Sequence, residues 1–222
     1  TGSFIYNRID NKFELRKGPI FSHIVLADEI NRASPKTQSA LLEAMQERQV
    51  TIEGKTMPLP KPFIVIATQN PIDYEGPLPL PEAQLDRFIV NLSIGYPTPE
   101  NEQEILNRRQ QRQSDDAQIS AVIQVEELLE INQIIETVFI HNDIEKYIVE
   151  LVQATRQFKD VAVGVSPRGS LAILKLAKAW AAIQNRDYVI PDDIKLFSKP
   201  ALMHRLVLAP ALWMNQNAPQ NI

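Results

Sequence analysis

The sequence predicts an α/β protein, a parallel β-sheet with helices packed on it, followed by an all-helical domain. Three observations predict it. Ile24-Val25-Leu26-Ala27 and Phe63-Ile64-Val65-Ile66-Ala67 are short apolar runs rich in β-branched residues, the pattern of fully buried parallel strands. Between them Leu41, Leu42 and Met45 repeat at helical spacing, so strand alternates with helix. After Tyr96-Pro97-Thr98-Pro99, which reads as a linker, the pattern becomes wholly helical.

Residues 4–15 read as strand, turn, strand: Phe4-Ile5-Tyr6, a polar Asp10-Asn11 turn, and Phe13-Glu14-Leu15. Gly18-Pro19 breaks the chain before the first buried strand, which runs into Asp28-Glu29. Ser34 is a good N-cap, with Pro35 at the first helical position, for a helix to about Gln49. Val50-Thr51-Ile52 and Thr56-Met57-Pro58-Leu59 flank Glu53-Gly54-Lys55 as a second hairpin. The second buried strand ends in Thr68-Gln69-Asn70, a proline-rich loop spans Pro71 to Pro81, and Phe88-Ile89-Val90-Asn91-Leu92 reads as a third strand. Helices are expected over 100–113, 126–139, 143–158, 167–185 and 191–206, with Ser166-Pro167 and Ile190-Pro191-Asp192 marking two starts and a polar connection over 111–118. These patterns divide the chain near residue 98, into an α/β segment over 1–98 and a helical domain over 99–222.

Composition narrows the function classes. Hydrophobic residues at 44% and charged residues at 23% are those of an ordinary globular protein, and no apolar run approaches the ~20 residues that cross a bilayer. The absence of cysteine excludes disulfides, a thiol nucleophile and Cys-ligated zinc, and fits a cytoplasmic protein. A formal net charge of −4 gives no basic field for non-specific nucleic-acid binding. His23, His141 and His204 have no metal-ligand spacing and read as structural or surface residues, and Trp180 and Trp213 read as packing residues.

The chemistry-bearing residues lie at strand ends. Asp28 and Glu29 follow a buried strand directly, and ligands of open α/β sheets bind at that edge. Asp28 offers the hard oxygen that Mg²⁺ takes, often through water, and Glu29 could orient or deprotonate a water attacking a γ-phosphate. Asn70 ends the next strand and so belongs at the same edge, where an amide could hold that water; alone it reads as a turn former before Pro71. Arg87 could neutralise a transferring phosphoryl group, from its own or a neighbouring subunit, or could pair with Asp86. Arg168 sits in the first turn of a helix, where the dipole favours anions and a cation gains nothing from it. Gly54-Lys55-Thr56 imitates the tail of a phosphate loop, but Gln49 stands where the first glycine belongs and Met57-Pro58-Leu59-Pro60 follows in place of a helix; Gly54 reads as a hairpin turn residue.

The ordered series Val25-Leu26-Ala27-Asp28-Glu29-Ile30-Asn31-Arg32-Ala33, Leu41 to Ile52, Ile66-Ala67-Thr68-Gln69-Asn70-Pro71, Leu80-Pro81-Glu82-Ala83-Gln84-Leu85-Asp86-Arg87-Phe88 and Ser166-Pro167-Arg168-Gly169 resembles the MoxR family of AAA+ ATPases, from about residue 4 to about 206. The resemblance implies a partial AAA+ αβα core followed by a helical AAA+ lid. It matches Asp28 and Glu29 to the Walker B pair, Asn70 to sensor 1, Arg87 to the arginine finger and Arg168 to sensor 2. Residues 4–15 resemble the hairpin this clade inserts into its second helix, and 50–59 the hairpin before sensor 1. ATP and Mg²⁺ are the implied cofactors, with Asp28 as the metal residue. A homo-oligomeric ring, typically a hexamer, holding ATP between subunits is implied, as is chaperone-like remodelling that matures client complexes, sometimes with metal cofactors and often with a von Willebrand factor A domain partner. In the family the phosphate loop precedes the inserted hairpin. The 222 residues hold no such loop, so this stretch is expected to be a fragment inactive on its own. An MCM-like DNA motor, a magnesium-chelatase-like subunit and an inert scaffold are the rival readings. The mixed hairpin tips Asp10-Asn11-Lys12 and Glu53-Gly54-Lys55 weigh against the first.

Overall fold

The computed structural model describes residues 2–7, 11–70, 80–116 and 119–210. The Asp10 side of the first turn, the proline-rich loop over 71–79 and Trp213 lie outside the described residues. Strands β1 (Gly2–Asn7) and β2 (Lys12–Lys17) form the first hairpin, with Tyr6 opposite Phe13. Strand β3 (Ile24–Ala27) runs through Asp28-Glu29 into a 3-10 turn, Ile30–Arg32. Helix α1 (Pro35–Glu47) starts where Ser34 accepts from the Thr37 amide, and ends at Glu47, two residues before the expected end, with Arg48 capping it in the left-handed conformation.

Strands β4 (Gln49–Ile52) and β5 (Lys55–Pro58) pair antiparallel through Glu53-Gly54, whose φ values of 48° and 79° are those of a type I′ turn. Gly54 is therefore a hairpin glycine, as its sequence context indicates. Strand β6 (Ile64–Ala67) pairs parallel with β3, Ala67 against Ala27. A buried cluster of Ile30, Leu41, Ala44, Val50, Ile52 and Phe63 packs α1 and the second hairpin on one face of that pair.

Two expectations are corrected here. β3 and β6 are not fully buried: Ile24, Leu26, Ile64 and Ile66 are exposed on one face, while Val25, Ala27, Val65 and Ala67 pack inward. Continuous apolar sequence licenses burial on both faces but cannot supply the covering element. Residues 88–92 form no strand. After helix α2 (Glu82–Leu85) they run without a ladder partner, and Leu92 is 72% exposed. A strand exists through its neighbour, and the Asn91 amide instead donates to the Pro200 carbonyl of the helical domain.

The helical domain follows the expected pattern closely. Thr98 is no linker residue but the N-cap of α3 (Pro99–Arg112), accepting from the Asn101 amide. Helices α4 (Val125–Glu136), α5 (Asn142–Gln157), α6 (Pro167–Ile183) and α7 (Pro191–Leu202) succeed it, with strand β7 (Val161–Val163) before α6. A 3-10 turn, Met203–Arg205, and strand β8 (Val207–Leu208), paired with β7, end the described chain. Ala172, Ala177 and Ala181 let α6 approach its neighbours, and Ile173, Ile194, Val152 and Val165 fill a second apolar cluster. Trp180 packs edge-on to Phe197 at 6.0 Å, a packing role. Among the described residues no helix is long and apolar enough to cross a membrane.

Candidate functional site

The parallel register decides what meets at the sheet edge. Because Ala27 lies opposite Ala67, Asp28 and Glu29 emerge beside Thr68, and Asn70 follows at the same end. Thr68 ties this edge together. Its hydroxyl donates to Asp28 Oδ1 at 2.5 Å and accepts from the Glu29 amide at 2.9 Å. Its carbonyl accepts from the Ile30 amide at 3.1 Å, and its amide donates to the Ala27 carbonyl.

Glu29 has φ 47° and ψ 50°, a left-handed backbone that costs a non-glycine residue about 1–2 kcal/mol. The Thr68 bonds before and after it hold that conformation. Buried Gln38 of α1 supports the turn beyond, its amide nitrogen donating to the Ile30 and Ala33 carbonyls at 3.2 Å each. The Glu29 carboxylate lies 3.4 Å from Arg32 Nε.

Arg87 faces elsewhere. Its Nε donates to Gln46 Oε1 of α1 at 2.9 Å, and a terminal nitrogen donates to the Ala83 carbonyl at 2.8 Å. It borders a shallow groove with Ser39, Glu43, Glu47 and Gln84. It does not pair with Asp86, because Asp86 is engaged by the helical domain.

The Asp86 carboxylate, 14% exposed, accepts from the Ser166 hydroxyl at 2.8 and 2.9 Å, from Arg168 at 3.2 Å and from Arg205 Nε at 3.0 Å. Arg205, 2% exposed, also donates to the carbonyls of Asp86 at 3.2 Å, of Phe88 at 2.7 Å and of Ala201. Gly169 makes room for this: a Cβ there would meet Val165 Cγ1 at 2.2 Å and Arg205 Cδ at 3.4 Å. Next door His204 Nε2 sits 3.0 Å from the Phe88 carbonyl, while its Nδ1 is buried without a partner. Burial lowers the pKa of His204 from its ordinary value, as does the Arg205 charge, and burial likewise lowers that of Arg205. His23 and His141 also take structural places, His23 against the Pro62 carbonyl and His141 as the N-cap of α5.

The five expected site residues thus occupy three places: Asp28, Glu29 and Asn70 at the sheet edge, Arg87 after α2 with its side chain against Gln46 of α1, and Arg168 paired with Asp86. Neither arginine pairs with Asp28 or Glu29. The sequence reading missed Asp86, Ser166 and Arg205 as a unit. A signal was present: Ile194, Ala201, Leu202 and Arg205 share one face at helical spacing, which puts an arginine where an apolar residue is expected.

Residues 1–90 match the family model described as the ATPase family associated with various cellular activities (AAA), and residues 153–222 match the AAA lid domain. The chain is 51% identical to YeaC of Bacillus subtilis, an uncharacterized protein, over 95% of this chain and 65% of that one. It is 43% identical to the chaperone MoxR1 of Mycobacterium tuberculosis, over 99% of this chain and 60% of that one. The chain therefore spans less than two thirds of the length of these curated relatives. The crystal structure of a candidate ATPase from Cytophaga hutchinsonii superposes with a TM-score of 0.89 at 41% identity, covering 99% of this chain and 70% of that one. An AAA segment, an AAA lid in the same order and relatives of this identity establish that the chain belongs to the MoxR family of AAA+ ATPases.

Proposed function

We propose that the protein to which this chain contributes hydrolyses ATP with Mg²⁺ between the subunits of a cytoplasmic ring, typically of six, and uses the turnover for chaperone-like maturation of protein complexes. One observation carries the reading: the Asp28-Glu29 edge, with Glu29 held in a costly backbone conformation by Thr68. Backbone strain of this kind clusters at active sites, and unlike the helix caps Arg48 and Gln113, Glu29 carries it at a polar strand end.

The residues fit the implied metal. Asp28 presents an exposed carboxylate, a hard donor of the kind Mg²⁺ takes directly or through water. When bound, Mg²⁺ with ATP supplies charge neutralisation across the transferring phosphoryl group. Glu29 would position and deprotonate the attacking water, Asn70 would hold that water, Arg87 would reach the neighbouring subunit's nucleotide, and Arg168 would contact phosphate from the lid. The domain boundary belongs near residue 98, supported by the Thr98 cap and the two separate apolar clusters. A client protein and a partner with a von Willebrand factor A domain are the expected associates; client remodelling draws support from the name of the 43% identical chaperone.

Glu29→Gln in the intact protein tests this directly. Nucleotide binding should persist while steady-state turnover disappears; undiminished turnover would remove Glu29 from the reaction. Because the 222 residues contain no Gly-x-x-x-x-Gly-Lys-Ser/Thr loop, the isolated chain should release no phosphate from ATP. Metal-dependent phosphate release by the purified chain would overturn that part. A magnesium-chelatase-like role is the second reading, resting on relatives of that name at 24% and 27% identity.

A further inference from the structure

The Asp86 cluster holds two guanidinium groups against one carboxylate, and the two are not equivalent. Arg205 is enclosed, and its donors are divided between Asp86 and backbone carbonyls of the 86–88 turn and α7. Withdrawing it would strand a buried charge and several carbonyls, so it is a fixed link between core and lid. Arg168 is 49% exposed and makes one bond, 3.2 Å long, to an oxygen that already accepts from Ser166. Arg205 already balances the Asp86 charge, so Arg168 is a surplus cation on a half-exposed pair. A second cation on an already balanced carboxylate adds little. Arg168 also lies in the first turn of the 17-residue helix α6, where the dipole favours anions, and among the described residues Asp86 is the partner of its side chain.

We infer that Asp86 is a positioning residue that parks Arg168 and competes with the nucleotide phosphate for it, while Arg205 keeps the lid docked whichever partner Arg168 takes. This rests on the proposed contact between Arg168 and phosphate. A phosphate arriving at the core edge exchanges one weak ion pair for a charge-assisted contact. When Arg168 leaves, Asp86 keeps Arg205 and Ser166 as partners, so no buried charge is orphaned. Asp86 thereby sets how much nucleotide affinity the lid contributes.

The test is equilibrium binding of a fluorescent ADP with Mg²⁺ to the intact protein, in a four-member cycle of wild type, Asp86→Asn, Arg168→Ala and the double variant. Asp86→Asn should tighten binding about two- to fivefold, the factor matching a weak surface pair. Arg168→Ala should weaken binding, and in its background Asp86→Asn should have no further effect. Arg168→Lys, which keeps the charge, should restore part of the Asp86 dependence. An equal Asp86→Asn effect in both backgrounds would overturn the inference while leaving the proposed function standing. An Arg168→Ala variant with unaltered affinity would instead strike the proposed function at Arg168. If Asp86→Asn does not fold, Asp86→Glu keeps the charge that Arg205 needs while displacing the oxygens that hold Arg168: a change in affinity that vanishes in the Arg168→Ala background supports the inference, and an equal change in both backgrounds overturns it.

Discussion

Arg205→Ala removes the residue that joins the core to the lid. The side chain is 2% exposed, and its loss leaves Asp86 with Ser166 and Arg168 but strips the Phe88, Asp86 and Ala201 carbonyls of a charged donor. Breaking a buried ion pair by removing one partner costs about 3–5 kcal/mol. Because Asp86 keeps two donors, the lower half of that range, about 3–4 kcal/mol, is the expectation. For a chain of this size each kcal/mol moves the midpoint by about 2–4 °C, so the melting temperature should fall by about 6–16 °C. Differential scanning calorimetry at pH 7.5, alongside urea titration, reads both quantities. Arg205→Lys keeps the charge but loses the planar fork, and should recover only part of the loss. A drop below about 1 kcal/mol for Arg205→Ala would refute the reasoning, since a surface-grade interaction is all that could be lost so cheaply.

Thr68→Val keeps the shape of the side chain but removes the hydroxyl between Asp28 and the Glu29 amide. Stability should fall by only about 0.5–1.5 kcal/mol. Turnover of the intact protein should fall by about ten- to a hundredfold through misplacement of Glu29, and matched turnover and melting data with no such gap would count against the role given to Thr68. His204 predicts an acid dependence. Its folded pKa is depressed by burial and by Arg205, against the opposing Phe88 bond and Asp86 charge, so the unfolded chain takes up the proton first. The stability it contributes is complete above about pH 6.5 and is lost as pH falls toward the lower folded value. The melting temperature should therefore decline between pH 7.5 and 5.5, less steeply in His204→Gln; identical slopes would exclude this histidine as the source.

Much of this was legible in the sequence because it is local. Ser34 and Ser166 announce helix starts, each followed by proline, and each side chain caps in the structure; Thr98 before Pro99 carries the same signal but reads as linker. Gly54 between two strand-like runs announces a hairpin over Glu53-Gly54-Lys55, which the structure narrows to the two residues Glu53-Gly54, with Lys55 already in β5. The Asp28, Glu29 and Asn70 edge follows from two apolar runs that pair in register. What failed depends on distant partners. Residues 88–92 have strand composition but no ladder neighbour, and β3 and β6 have core composition with one face open. The Arg205–Asp86 link spans 119 positions; helical spacing marks Arg205 as facing inward, but nothing in the sequence names its partner.

The two apolar clusters share no residue: one is drawn from residues 4–88, the other from 138–206. Between them the named links are carboxylate, guanidinium, hydroxyl, imidazole and backbone atoms. Exposing apolar surface raises heat capacity and exposing polar surface lowers it. Lifting the lid from the core would thus carry a small heat-capacity change, and its free energy would run nearly straight with temperature. Melting either cluster would carry a large positive one. Opening at this joint and unfolding would in this way differ in how their free energies bend with temperature, the first nearly straight and the second domed.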